Sequence, residues 1–492
     1  MAPSLPPETL LLVFSFLEDD IVACASVCRE WQVAAESITF SSLLANSANI
    51  EDLCRIVGRT STPWRPSFVQ ELEFKCILPT YGIQSRAYFE TESDRHSNNK
   101  AVTQAISSLF EVLSSWPDHN RNEMKLVLFS RSPSDWEAEP DWDQRKARMQ
   151  QNRAFPEKDL MQARYESSYL QLLSTADIST VKCVTELRIY GASLYRGFSP
   201  QSVSEMVCRL PRLQELSVDL SDKDRKNPTE RDHHRHELSR GIAKWPSSLK
   251  RFRLDCLRDP ACDGKGPLRK LSEPGADSLS LALHRLTQQL ETVDLTSVMV
   301  GPEFFWPACA NKTITCWPNL TTIDVRYAPA TPSGTWLFER DPKYQGEDDG
   351  PSIENSYPRT KPNESLNGLY VAAGRAAQQM PRLRTMVLQA DMASTSTRVQ
   401  EAFDSIPGHW FQYTSSSARA TWICTSEYHV TPEVREVWDA VAKNHGRGHV
   451  KIENLGFRHD ADEMGGHKSF YSDEVGFDEE FKKEYGCFSW DS

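Results

Sequence analysis

Leu210-Pro211-Arg212-Leu213-Gln214-Glu215-Leu216-Ser217-Val218 is the stretch on which the reading of most of the chain turns. Pro211 drives Leu210 out of helical geometry, so it ends the helix before it. Leu216 and Val218 are two apart and point to one side of a strand. The same Leu-x-x-apolar-x-apolar unit returns. Trp245-Pro246 leads to Leu249, Phe252 and Leu254, and Trp317-Pro318 leads to Leu320, Ile323 and Val325. Met380-Pro381 leads to Leu383, Met386 and Leu388, while Pro66 precedes Val69, Leu72 and Phe74. Two copies lack the proline, at Val184, Leu187, Ile189 and at Leu290, Val293, Leu295. A degenerate copy at Met124–Phe129 follows Trp116-Pro117.

Helical patterns lie upstream of several copies. Val102, Ile106, Leu109, Phe110 and Leu113 form one, and Val203, Met206, Val207 and Leu210 another. Leu279, Leu283 and Leu286 form a third, and Leu369, Ala373, Ala376 and Ala377 a fourth. A helix followed by a short strand, repeated, cannot cover its own apolar side and must stack on its neighbours. The expected fold class is therefore α/β, with an irregular leucine-rich-repeat-like solenoid as the body. Unit starts at 184, 213, 249, 290, 320 and 383 are unevenly spaced. Regular leucine-rich units run ~20–29 residues and carry an asparagine that is missing here.

The extra length falls in polar insertions at 130–157, 219–237, 255–277 and 328–365, read as loops, with a helix expected across Met161, Tyr165, Tyr169 and Leu172. After Leu388 the pattern changes. Trp410–Tyr413 and Ala420–Cys424 read as paired strands, Pro432 opens a helix that ends near Gly446, and Val450–Phe457 reads as a returning strand. The expected organisation is an N-terminal module at 1–45, the body at 46–395, an α+β cap at 396–460 and an acidic, aromatic-containing tail at 461–492.

The N-terminal module is unusually apolar. After Pro6-Pro7, Leu10, Val13, Phe14 and Leu17 share one face of a helix, and Leu11 and Leu12 widen that face. Asp19 and Asp20 cap a second helix with Ile21, Val22 and Ala25, and a third holds Val27, Cys28 and Trp31. Three short helices cannot bury this much apolar surface among themselves, so the excess predicts a protein partner. Leu5-Pro6, Glu8, Leu10–Leu17, Ile21-Val22 and Val27-Cys28-Arg29-Glu30-Trp31 together resemble the F-box, the adaptor-binding module of SCF-type ubiquitin ligases. The run Gln32-Val33-Ala34-Ala35 is plainer than the basic, leucine-containing run often found there. The resemblance implies docking onto a Skp-type adaptor, and through it onto a cullin, by Leu5, Pro6, Leu10, Val13, Phe14, Ile21, Val27, Cys28 and Trp31. The overall layout also resembles fungal F-box proteins with a degenerate leucine-rich body. It implies a non-catalytic substrate receptor with an unidentified protein target.

Other classes are disfavoured. The chain has 68 acidic against 56 basic residues, a net charge of −12, which argues against a nucleic-acid partner. No apolar run reaches the ~20 residues that span a bilayer. Acidic residues, rather than basic ones, flank the Leu10–Leu17 run, so it does not read as a secretory signal. Twelve cysteines without framework spacing read as reduced thiols of a cytoplasmic or nuclear protein. His233-His234-x-His236 lacks partners at metal-ligand spacing and reads as part of a solvated charged loop. No phosphate loop, nucleophile elbow or HExxH motif is present, so no cofactor or metal is expected. Two alternatives stay open: an adaptor-bound scaffold without a degradative role, and an enzyme with a site around His409, His429, His445 and His449.

Overall fold

The computed structural model describes residues 6–14, 16–17, 21–82, 85, 90–117, 123–135, 165, 168–191, 196–221, 228–257, 268–308, 315–340, 359–390, 409–424 and 428–456. Three short helices open the chain: α1 (Pro7–Phe14), α2 (Ile21–Cys24) and α3 (Arg29–Thr39). Phe40 and Ser41 connect α3 directly to the first strand, β1 (Ser42–Asn46). Two further helices, α4 (Ile50–Val57) and α5 (Arg65–Phe68), precede β2 (Glu71–Ile77).

From β1 the strands line up in chain order across one twelve-stranded sheet. After β2 come β3 (Met124–Arg131), β4 (Val184–Ile189), β5 (Glu215–Ser221), β6 (Arg251–Leu257), β7 (Thr292–Val298) and β8 (Thr322–Tyr327). β9 (Phe338–Arg340) and β10 (Arg359–Pro362) pair with each other outside this sheet. β11 (Thr385–Ala390) then lies parallel to β8, completing a run in which every neighbour is parallel. β12 (His409–Thr414) and β13 (Arg419–Cys424) turn back antiparallel, and β14 (Lys451–Gly456) runs parallel to β13. The C-terminal unit thus extends the same sheet.

The motif positions come into register. Leu72, Leu126, Leu187, Leu216 and Phe252 sit side by side on neighbouring strands, followed by Val293, Ile323 and Met386. All are buried. A fully buried side chain of this size contributes roughly 1.5–3 kcal/mol, so this row fixes strand register. A slip by one residue would turn each apolar side chain to the polar face.

Helices cover the apolar side: α6 (Glu92–Ser114), α7 (Pro200–Cys208), α8 (Pro228–Ile242), α9 (Ser278–Thr287), α10 (Glu364–Ala377) and α11 (Pro432–Asn444). α6 starts in a capping box, Thr91 Oγ1 accepting from the Asp94 N–H and the Asp94 carboxylate from the Thr91 N–H. Its Val102, Ile106, Leu109, Phe110 and Leu113 are buried, as the spacing required. The buried helix faces and the inward strand positions belong to one core. The other strand face is polar and half-buried, with Glu71, Glu73 and Lys75 on β2 and Arg251, Arg253 and Asp255 on β6. The parallel strands begin at one rim of the sheet, where the proline turns lie. They end at the opposite rim, from which the connections at 132–183, 222–250 and 258–291 continue.

Three expectations need correction. Residues 228–237, read as part of a charged loop, belong to α8. Residues 168–172, expected at the end of a helix, are irregular, and Leu170 bridges Phe198 instead. The stretch 328–365, read as a loop, holds β9 and β10, and its Ala328, Ala330, Leu337 and Phe338 are buried. The acidic tail at 461–492 and most of 130–157 lie outside the described residues.

Candidate functional site

Pro7 begins α1, where its missing N–H costs nothing. Leu10 and Phe14 on α1, Ile21 and Cys24 on α2, and Ala34 and Ala35 on α3 form a small separate core. Leu17, Ala25 and Trp31 pack against it, and Trp31 meets Phe14 edge-on at 5.3 Å. This core is too small to take in every apolar residue. Leu12 remains 62% exposed, Phe16 77%, Val22 70% and Val27 61%. Leu11 and Val13 are also exposed.

The expected docking residues therefore divide. Val13, Val27 and Cys28 face solvent, as does Pro6, and Trp31 is half-buried. Leu10, Phe14 and Ile21 are interior and hold the three helices together. Leu5 lies outside the described residues. Leu12, Phe16 and Val22 take the outward places. Periodicity did not single them out, because nearly every position of this stretch is apolar.

The module is tied to the body by one buried carboxylate. Glu36 of α3 is 4% exposed. Arg65 of α5 donates to it through Nε at 3.0 Å and Nη2 at 2.5 Å. Trp64 Nε1 donates at 3.0 Å and Gln32 Nε2 at 2.9 Å. Burial pushes this carboxyl up, but the hydrogen bonds from Arg65, Gln32 and Trp64 outweigh it and hold Glu36 below its ordinary value. Arg29 lies over the Trp64 ring at 5.3 Å and Arg65 over Phe40 at 4.8 Å.

Residues 2–43 match the F-box-like family. The N-terminus is an F-box-like domain. Such a domain implies docking onto a Skp-type adaptor and, through it, a cullin. Residues 354–470 match a second family, DUF6546, described as a family of unknown function. That match takes in α10 and β11 together with β12, β13, α11 and β14. Among curated proteins nothing matches the chain.

Beyond the F-box, the histidines considered for catalysis have separate partners. His409 is 1% exposed, with Nε2 2.6 Å from the Tyr370 hydroxyl and Nδ1 3.0 Å from Cys424 Sγ. Burial pushes the imidazole down to about 3 and the Cys424 thiol up to about 12. A thiolate–imidazolium pair needs the opposite order, so this Cys–His contact does not make a nucleophile. His445 meets Tyr413 Oη at 3.0 Å and the Met380 carbonyl at 3.1 Å, whereas His429 is exposed and His449 faces Asp439. On α8, His234 is buried edge-on to Tyr169 at 4.4 Å, while His233 faces Glu237. Among the described residues no group of three His, Cys, Asp or Glu could hold a metal, and no helix is long and apolar enough to cross a membrane.

The buried neutral His409 gives a pH test. Its folded value lies below the unfolded 6.5, so the unfolded chain binds the extra proton. Stability from this group is full above about pH 6.5 and falls as pH drops toward 3. At pH 5 the loss is ~2 kcal/mol relative to pH 7.5, at 1.36 kcal/mol per unit. His409→Gln is expected to flatten the fall in urea midpoint between these pH values. A variant whose pH slope matches the parent would show that His409 is not its source.

Proposed function

We propose that the chain is a substrate-receptor subunit of an SCF-type ubiquitin ligase. The F-box binds the adaptor, and a leucine-rich-repeat-like solenoid body, continued by the C-terminal unit, binds a protein target. The main support is the set of large apolar side chains left exposed on the F-box-like domain, Leu12, Phe16, Val22 and Val27. An exposed apolar patch on a small domain marks a protein interface. The in-order sheet with aligned Leu-x-x-apolar-x-apolar units supports the solenoid reading. The overall layout resembles that of fungal F-box proteins with degenerate repeats. On this reading the chain works in the cytoplasm or nucleus, and the bond-making steps belong to other subunits. Its own contribution is proximity, which raises the effective concentration of a target lysine near the ubiquitin carrier.

Phe16→Ala tests adaptor docking without touching the small core. A hot-spot aromatic contributes ~2 kcal/mol or more, so the adaptor Kd should rise roughly 30-fold while the thermal midpoint stays within a degree or two. Undiminished adaptor binding by Phe16→Ala combined with Val22→Ser would reject the docking face. Proteasome-dependent accumulation of a co-purifying protein when the chain is depleted separates a degradative receptor from a scaffold.

A further inference from the structure

On the open face of the sheet, at the rim where the strands begin, lies a hollow of about 270 Å³. Ser41 and Ser42 of the F-box-to-sheet link form one wall, and Gln70, Thr185 and Gln214 contribute the neutral lining. The charged lining is Glu71, Glu123, Lys125, Glu186 and Arg251. Cross-strand register explains why they meet, since Glu71, Lys125, Glu186, Glu215 and Arg251 occupy consecutive places on five neighbouring strands. Along the same row the next three strands carry Thr292, Thr322 and Thr385, so the charge gathers at this end of the sheet.

The cations inside are already engaged. Lys125 is shared between Glu71 at 3.3 Å and Glu186 at 3.9 Å, and Arg251 pairs with Glu215. Glu123 makes no ion pair among the described residues. Arg251 also acts through space on Glu123 and Glu186, but two cations, Lys125 and Arg251, face four carboxylates, Glu71, Glu123, Glu186 and Glu215, so negative charge remains uncompensated. Burial, then the neighbouring Glu215 carboxylate, raise Glu186 above its ordinary value. The volume lies below the ~300–1,000 Å³ of clefts that take drug-sized ligands, and suits a single long side chain.

We propose that this hollow receives a lysine or arginine side chain from an extended segment of a protein partner, which on the receptor reading above is the target. The incoming cation pairs with Glu186 and Glu123, and its methylenes lie along the open face of the strands. Ser42 and the two glutamine amides supply neutral acceptors around it.

The test uses the full chain with its adaptor. Random dodecapeptides displayed on phage are selected against it, and the winners are titrated by fluorescence anisotropy. The expected winners carry Lys or Arg. Their binding weakens at least tenfold in Glu123→Gln/Glu186→Gln and is unchanged in Glu51→Gln/Asp52→Asn, an equal charge change on α4. Winners without basic residues overturn the proposal. So do basic winners that lose affinity equally in both variants, since that reports general attraction to a chain of net charge −12. Self-association that disappears in Glu123→Gln/Glu186→Gln would assign the face to a second copy and equally overturn it. Adaptor co-purification is read on the same samples. Its loss with peptide binding intact defeats the receptor reading and leaves the hollow's specificity standing. The converse outcome defeats only the hollow.

Discussion

Replacing Arg65 by Met is expected to open the joint between the F-box and the sheet by about 3–5 kcal/mol, the usual consequence of stranding one member of a buried ion pair. Arg65 supplies two of the four hydrogen bonds on the Glu36 carboxylate and donates a third, through Nη1, to the Ile56 carbonyl. Without it, a buried carboxylate keeps only Trp64 and Gln32. In the parent, Glu36 titrates below its unfolded 4.5, so its stabilisation is complete above that value and is lost as pH falls through the folded value. In the variant, burial acts unopposed by Arg65 and raises the carboxyl. The deficit should therefore be widest near pH 7 and narrow below about pH 4.5. A chain this long need not unfold in one step, so amide exchange across residues 21–68 is the appropriate readout. Glu36→Gln placed on Arg65→Met should recover part of the loss, because it removes the unpaired charge. Unchanged exchange in Arg65→Met would mean that the joint is held by something else.

Trp438→Ala should destabilise the C-terminal unit by about 3–5 kcal/mol, as expected for deleting a buried tryptophan. Trp438 on α11 is fully buried. Its ring lies 4.7 Å from Phe411 and 5.1 Å from Tyr413, on β12. Gly374 of α10 makes room for it, since a Cβ there would stand 2.4 Å from Val437 Cγ1 and 3.3 Å from the indole. The Trp438 N–H has no hydrogen-bond partner among the described residues. Trp438→Phe should therefore lose less than its volume change alone suggests, since it also removes a buried N–H that no hydrogen bond compensates. Near-UV circular dichroism and exchange over 409–456 are the measurements. A Trp438→Ala protein with the parent's exchange pattern there would contradict this account.

The strands of the body were legible because each unit buries two apolar residues of one parity, in most copies beside a proline turn. Leu216 and Val218, or Ile323 and Val325, state their burial without help from distant sequence. α8 was not legible. Its only buried large apolar residues are Leu238 and Ile242. Its other inward positions are Arg231, His234, Arg235, Ser239 and Gly241, and Arg235 is satisfied by Asp277 at 3.0 Å and by the Met299 carbonyl at 3.1 Å. Nothing local marks such a residue as interior. The F-box was recognisable as a whole, but the division of its residues between core and surface was not. α1 stops at Phe14 and α2 is only four residues long, so inside and outside depend on turns that apolar spacing does not encode. The hollow was equally hidden, because its charges come from strands far apart in the chain and meet only through register.

Strand length also works as a ruler. The docking helices feed into β1 at the starting rim, and the long connections depart from the finishing rim, seven or eight residues later on β3, β5 and β6. At ~3.3 Å per residue the two rims stand about 20 Å apart. On the receptor reading, a partner seated in the hollow sits beside the F-box link, a full strand length from the finishing rim. Lengthening every strand by one pleat would carry the finishing rim about 7 Å farther off and leave the starting rim where it is.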